Sequence, residues 1–262
     1  MSETGTPKLS VQQVGKTFAT AAAGPFRALS DIRLDIAVEE FVSLLGPSGC
    51  GKSTLLEIIA GLQFPSDGRV LMDGRPVTGP GPDRAVVFQH FALFPWRTVR
   101  ANVEFPMEMA KVARAVRKTR ALEHLRMVGL DGFADRHIWQ LSGGMQQRVA
   151  LARAMACTPE VLLMDEPFSG ADAITRELLQ DQLVTLHRAT RKTILFVTHS
   201  VDEAIKLSDR IVVMGTRPGR IVSIFPLNEQ ARSHPDEVAQ LRGTIWNLLR
   251  KEILPADQVE TH

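Results

Sequence analysis

The chain has 262 residues, long enough to bury a sizeable core unaided, and its two cysteines are too few for a disulfide framework. Lys and Arg number 31 against 29 Asp and Glu, a formal charge of +2 that disfavours non-specific attraction to a nucleic-acid backbone, so no nucleic-acid partner is expected. Hydrophobic residues at 44% and charged residues at 23% exclude wholesale disorder. No window approaches the roughly eighteen consecutive apolar residues that a bilayer span requires. Met1 to Val11 is polar and lacks the basic stretch and apolar run of a secretory signal, so a cytoplasmic chain with Cys50 and Cys157 both reduced is expected.

Apolar alternation predicts strands over Leu9 to Phe18 and Ile32 to Ile36, with Ala19 to Pro25 as a loose connection. Phe41 to Leu45 is a short apolar run of strand length. A glycine-rich turn follows it, and then helical spacing over Ser53 to Ala60. Arg69 to Met72 and Ala85 to Phe88 read as further strands separated by the breaker cluster Gly79-Pro80-Gly81-Pro82. Helical pattern dominates from Val99 to Ala156. Strand character returns at Val161 to Met164 and Thr193 to Val197, and a helix between them suits a crossover connection. Near the end, Val238, Leu241, Ile245, Leu248 and Leu249 recur at helical intervals after Pro235-Asp236, which predicts a docking helix. The class is α/β with a helical insertion.

The stretch Gly46-Pro47-Ser48-Gly49-Cys50-Gly51-Lys52-Ser53-Thr54 fits G-x-x-x-x-G-K-[ST] and lies between a predicted strand and a predicted helix. Glycines let the backbone wrap closely around oxygen atoms, and inward N–H groups together with the helix N-terminus favour a polyphosphate. Lys52 is expected to reach the β- and γ-phosphates and the Ser53 hydroxyl to ligate Mg²⁺, with Cys50 a spectator. Val161 to Met164 ends in Asp165-Glu166. There Asp165 would support Mg²⁺ and Glu166 would polarise the attacking water, although adjacent carboxylates also occur at plain solvated strand ends.

Leu141-Ser142-Gly143-Gly144-Met145-Gln146-Gln147-Arg148 resembles the signature motif of ATP-binding cassette (ABC) proteins, with Met145 where glutamine is commoner. The physical logic stands beside the resemblance, since a serine and two glycines opening a helix make a second anion-binding terminus. The resemblance runs from about residue 8 to about residue 253 and implies roles for further residues in family order. Gln89 matches the Q-loop glutamine that reaches metal and water. His199 matches the switch histidine at the γ-phosphate, and Asp172 the D-loop aspartate, although Ser169-Gly170-Ala171 before it departs from the family pattern. Phe18 holds the adenine-stacking position, and an ordinary core residue is the competing reading. The implied fold is a P-loop NTPase (RecA-like) core with an antiparallel β subdomain, an inserted α-helical subdomain and a C-terminal helix. Its expected domains are residues 1–90 with 159–215, residues 91–158, and residues 216–262.

Phe91 to Val99 with Asn102-Val103 looks like the Q-loop continuation of nitrate, sulfonate and taurine importer ATPases, Trp96 being the most telling residue. Asp165 to Phe168 and the turn Arg217 to Ile221 are similar to the same group. Core of the helical insert is the other reading of Phe91 to Trp96. The resemblance implies an importer ATPase subunit, peripheral on the cytoplasmic membrane face, that binds ATP and Mg²⁺. It implies an ATP-dependent homodimer in which Ser142 to Met145 completes the partner's nucleotide site. A permease subunit would rest near Gln89 to Trp96, and a solute-binding protein would act indirectly. An exporter or lipid-transport ATPase and a nucleotide-gated interaction module are the alternatives. Lys111, Arg114, Arg117, Lys118, Arg120 and Arg126 read as a solvated helix face.

Overall fold

The computed structural model describes residues 6–19, 24–228, 232 and 234–253. The start of the polar N-terminal stretch, the middle of the predicted Ala19 to Pro25 connection and the end of the C-terminal extension lie outside these residues. The chain divides into two compact units, Met1–Pro80 with Thr193–His262, and Gly81–Lys192.

The first unit opens with β1 (Leu9–Phe18) and β2 (Phe26–Ile36), followed by β3 (Phe41–Leu45), α1 (Lys52–Ala60), β4 (Asp67–Met72) and β5 (Arg75–Pro76). Strands β2, β1, β4 and β5 form an antiparallel sheet in that order. Register shifts interrupt β1 between Val11 and Thr17, so only its first half keeps a clean ladder with β4. In the same unit β3 is parallel to β8 (Thr193–Thr198) and to β9 (Arg210–Gly215), and β10 (Arg220–Pro226) returns antiparallel to β9. Every residue of β3 and β8 is buried, Ser43, Thr193 and Thr198 included, which is why both read as mainly apolar runs rather than alternations. The sequence reading did not place β5, β9, β10 or α6 (Val201–Leu207); Arg220 and Ile221, read there as a turn, begin β10.

The expected C-terminal helix is α7 (Pro235–Ile253), with Asp236 and Glu237 in its first turn and Arg250 and Lys251 in its last, as the helix dipole favours. Ile245 and Leu249 are buried, and Val238 and Leu241 pack beside them, against Val201, Ile205, Ile211 and Val213 of α6 and β9. Each fully buried aliphatic side chain contributes about 1.5–3 kcal/mol, so this stripe is enough to dock the helix. Leu248 of the predicted periodic set is half-buried.

In the second unit β6 (Arg84–Val87) runs parallel to β7 (Val161–Asp165), with Arg84 opposite Val161 and Val87 opposite Met164. Between them lie α2 (Val99–Met109), α3 (Arg114–Met127) and α4 (Gly143–Met155), and α5 (Ala173–Thr190) follows β7. Helices α2, α3 and α4 share one apolar cluster that includes Val103, Met107, Ala121, Leu125, Val149 and Ala152. The broad helical pattern from Val99 to Ala156 thus resolves into three α-helices broken by short 3-10 turns at Asp131–Phe133 and Ile138–Gln140. Five of the six flagged basic residues on and around α3 are exposed and Arg117 is half-buried, as a solvated face requires.

Candidate active site

The phosphate cradle is built by the abrupt change from β3 to α1. Gly51 at the N-cap has φ 95°, a conformation that L side chains rarely adopt, and a Cβ there would also sit 2.6 Å from Leu29 Cδ2. Among the described residues no side chain makes a cap hydrogen bond at the start of this helix, whose N-terminus faces the loop. Ser48, Gly49 and Ser53 are exposed, Gly46 is buried, Pro47 and Thr54 are half-buried. The Lys52 side chain is buried, and its Nζ donates to the carbonyl oxygens of Gly46 at 2.7 Å and Pro47 at 2.9 Å. It lies 3.9 Å from Cys50 Sγ. Cys50 is buried inside the loop; burial pushes its thiol pKa up, opposed by the Lys52 charge, so the neutral thiol acts as packing.

His199 is exposed and follows the last residue of β8. Its neighbours on both sides are pinned: Thr198 Oγ1 donates to Glu203 Oε2 at 2.6 Å, the Ser200 N–H donates to Thr198 Oγ1 at 3.0 Å, and Ser200 Oγ caps α6 by accepting from the Glu203 N–H. Thr198, Ser200 and Glu203 were not singled out from sequence. The Ser-x-x-Glu spacing of a capping box was the available signal, although here the glutamate side chain reaches Thr198. Phe18 is half-buried rather than core, with Lys16 Nζ 5.1 Å from its ring centroid.

In the second unit Ser142 is the N-cap of α4 and its Oγ accepts from the Met145 N–H at 3.3 Å. Gly143 is exposed, Gly144 half-buried, and Met145 packs against the helical cluster, so the uncommon residue of this motif points its bulk into apolar surroundings. Gln146 Nε2 ties the helix start to the carbonyls of Ile138 and Leu141.

Asp165 and Glu166 are half-buried at the end of β7, and Glu166 has φ 43°. A non-glycine residue in that region costs on the order of 1–3 kcal/mol. Asp172 is exposed and caps α5, accepting from Thr175 N–H at 3.0 Å and Thr175 Oγ1 at 2.7 Å; these bonds hold its pKa below the usual carboxylate range.

Gln89 is exposed after β6. The chain beyond it passes through two left-handed residues, Phe91 (φ 52°) and Ala92 (φ 47°), whose carbonyls both accept from Arg153, at 2.7 Å and 2.5 Å. Arg153 sits on α4, the helix that Ser142 caps, and burial lowers its pKa. Further along, the fully buried Asn102 accepts from the Phe94 N–H at 2.8 Å and donates to the carbonyls of Phe94 and Thr98. Arg153 was not found from sequence, since nothing local links it to the Phe91 stretch. Trp96 is 72% exposed, which rules out the core reading for the end of that string.

Among the described residues no cluster of three or more His, Cys, Asp or Glu forms a metal site. The donors singled out for Mg²⁺, a hydroxyl, an amide oxygen and a carboxylate, are hard oxygen ligands of the type that ion takes with retained waters. A strand–loop–helix cradle for phosphate, with a second capped helix bearing Ser-Gly-Gly, defines a P-loop ATP-binding cassette.

The comparisons with known proteins agree. A family model described as ABC transporter matches residues 29–169, and the chain belongs to that family. It is 49% identical over 249 residues to an uncharacterised ABC transporter ATP-binding protein of Methanocaldococcus jannaschii, covering 94% of this chain and 93% of that protein. It is also 49% identical over 220 residues to a taurine import ATP-binding protein of Rhizobium johnstonii, covering 84% of each. Among solved structures it resembles a dimeric ATP-binding cassette in a post-hydrolysis state bound to ADP and Pi. That likeness has a TM-score of 0.76 and 35% identity over 84% of this chain and 99% of the other. The protein is accordingly an ATP-binding ATPase subunit of the ABC type.

Proposed function

We propose that this subunit drives an importer for a small anion or organic acid of the nitrate, sulfonate or taurine type. The observation that carries the reading is the intact P-loop in a chain that shares 49% identity with a taurine import ATP-binding protein over most of both lengths. It would work as an ATP-dependent homodimer, peripheral on the cytoplasmic membrane face, with a permease seated near Gln89 to Trp96. The dimeric cassette among its structural relatives supports the pairing. No helix among the described residues is long and apolar enough to cross a membrane. A solute-binding protein would deliver cargo to that permease.

In this reading the loop from Gly46 to Thr54 and the Lys52 ammonium hold the β- and γ-phosphates, and Phe18 stacks on adenine. Ser53, Gln89 and Asp165 would hold Mg²⁺, which neutralises charge on the phosphates when bound. Glu166 orients and polarises the attacking water, and His199 donates to the γ-phosphate as negative charge builds. Ser142 to Met145 closes over the nucleotide of the second copy, and Asp172 lies at the dimer seam. ATP then joins the two copies and its hydrolysis releases them.

Two experiments test this. Glu166→Gln is expected to retain ATP binding while steady-state hydrolysis falls by a factor on the order of 10² to 10⁴, and turnover near the unsubstituted rate removes Glu166 from the role. Gentle detergent extraction of the tagged chain from its native membrane is expected to bring down a multi-span permease. Recovery of soluble partners alone overturns the importer reading.

A further inference from the structure

We infer that α7 sets the affinity of the P-loop for ATP through Glu252, a positioning residue that never touches the nucleotide. This rests on ATP binding by the Gly46 to Thr54 loop.

The connection begins at the end of α7. Glu252 Oε2 accepts from the Thr216 N–H at 3.0 Å, Glu252 Oε1 accepts from Arg220 Nη2 at 2.8 Å, and the Glu252 carbonyl accepts from Thr216 Oγ1 at 3.0 Å. Arg220 Nη1 also donates to the Thr216 carbonyl at 2.7 Å. One carboxylate therefore closes the β9–β10 turn from both sides; its own side chain is only 13% exposed, while the Arg220 side chain it holds stays in contact with water.

Inside the turn, Gly219 is held against β2. Its N–H donates to the Ala28 carbonyl at 2.9 Å and its carbonyl accepts from the Ser30 N–H at 2.9 Å. The Gly219 Cα faces the Cys50 carbonyl so closely that a Cβ would overlap it, and that Cβ would also lie 3.0 Å from Leu29 Cδ2. The same Leu29 Cδ2 is the atom that a Cβ at Gly51, the residue whose left-handed conformation starts α1, would meet at 2.6 Å. Glu252 thus closes the turn, the turn holds Gly219 against Leu29 of β2, and Gly219 and Leu29 together wall the back of the loop at Cys50 and Gly51. A cradle that is held in shape before its ligand arrives binds with less ordering cost, so loosening the turn weakens binding without altering the groups that carry the reaction.

The test compares the full-length protein with Glu252→Ala, Glu252→Gln and Gly219→Ala, measuring MgATP dissociation constants by calorimetry together with kcat and KM for ATP hydrolysis. Glu252→Ala is expected to raise both Kd and KM about threefold or more, with kcat at saturating ATP within about twofold of the parent. Glu252→Gln keeps a carbonyl acceptor for the Thr216 N–H and is expected to give a smaller rise; it also serves if the alanine variant does not fold. Gly219→Ala acts on the same wall, so combining it with Glu252→Ala is expected to raise Kd by less than the product of the two single effects. A lowered melting temperature with Kd and KM unchanged overturns the inference, because α7 is then only packing. A fall in kcat at constant KM overturns it too. Failure of the parent protein to bind ATP removes the reading of the loop itself, and the inference with it.

Discussion

Replacing Lys52 with methionine asks whether this lysine is already part of the loop before nucleotide arrives. Methionine keeps most of the buried stem and deletes the ammonium, which donates to Gly46 O at 2.7 Å and Pro47 O at 2.9 Å from a residue 5% exposed. Hydrogen bonds to a charged group contribute about 1.5–3 kcal/mol each, and the desolvation of the buried ammonium offsets a large part of the pair. A net loss of about 2 kcal/mol follows, which for a chain of this size is a fall of roughly 4–8 °C in the melting temperature of the nucleotide-free protein. The assay is scanning calorimetry without and with MgATP. The parent gains about 2.7 kcal/mol at a ligand concentration one hundred times Kd, whereas the variant gains little because its phosphate contact is missing. Superimposable nucleotide-free transitions would refute the reasoning, since they would mean that the two carbonyl contacts carry no net stabilisation. In the proposed function this would be an exchange of acceptors, the loop carbonyls holding the ammonium until phosphate oxygens displace them.

Two further substitutions probe the second unit. Ser142→Arg places a long cation at the exposed start of α4 and is expected to spare ATP binding by the monomer while abolishing ATP-induced pairing in size-exclusion chromatography; a surviving dimer sinks the shared-site reading. Asn102→Ala strands the Phe94 N–H, at about 1–3 kcal/mol for the group left unsatisfied, and takes one of two donors from each of the Phe94 and Thr98 carbonyls, which keep the Arg97 and Asn102 backbone N–H groups; it is expected to speed tryptic cleavage at Arg97 severalfold, and unchanged cleavage shows that the asparagine does not brace the loop.

What was legible from sequence was what is local. The P-loop is one unbroken stretch whose glycines, lysine and flanking strand and helix are adjacent in the chain, so both its conformation and its chemistry follow from a single window. The same holds for β3 and β8, whose complete burial writes itself as mainly apolar runs, and for the α7 stripe of Val238, Leu241, Ile245 and Leu249. Strand β10 escaped because it is only partly buried along its length and therefore shows neither alternation nor a solid apolar run. Phe18 and Trp96 each carried a core reading; Phe18 is half-buried and Trp96 is exposed. An aromatic letter states how much surface a residue could bury, and the surrounding backbone decides how much it does.

The residues that brace the candidate chemical groups were illegible for a different reason: their partners are distant in sequence. Arg153 reaches carbonyls sixty-one and sixty-two positions away, and Glu252 closes a turn thirty-six positions away. Neither is marked by its neighbours, because an arginine or glutamate on a helix surface is an ordinary solubilising residue in any local window. The candidate groups themselves, Lys52, Glu166 and His199, stand at the ends of strands or the first turn of a helix, where short motifs specify them. Their positions depend on bonds that run across the fold. A motif therefore identifies which atoms take part, whereas their placement belongs to residues such as Glu252 and Arg153. It follows that two chains with the same motifs and different bracing residues can share a reaction and differ in how tightly they hold ATP. The contrast between a KM effect at Glu252 and a turnover effect at Glu166 puts that distinction within reach of one enzyme assay.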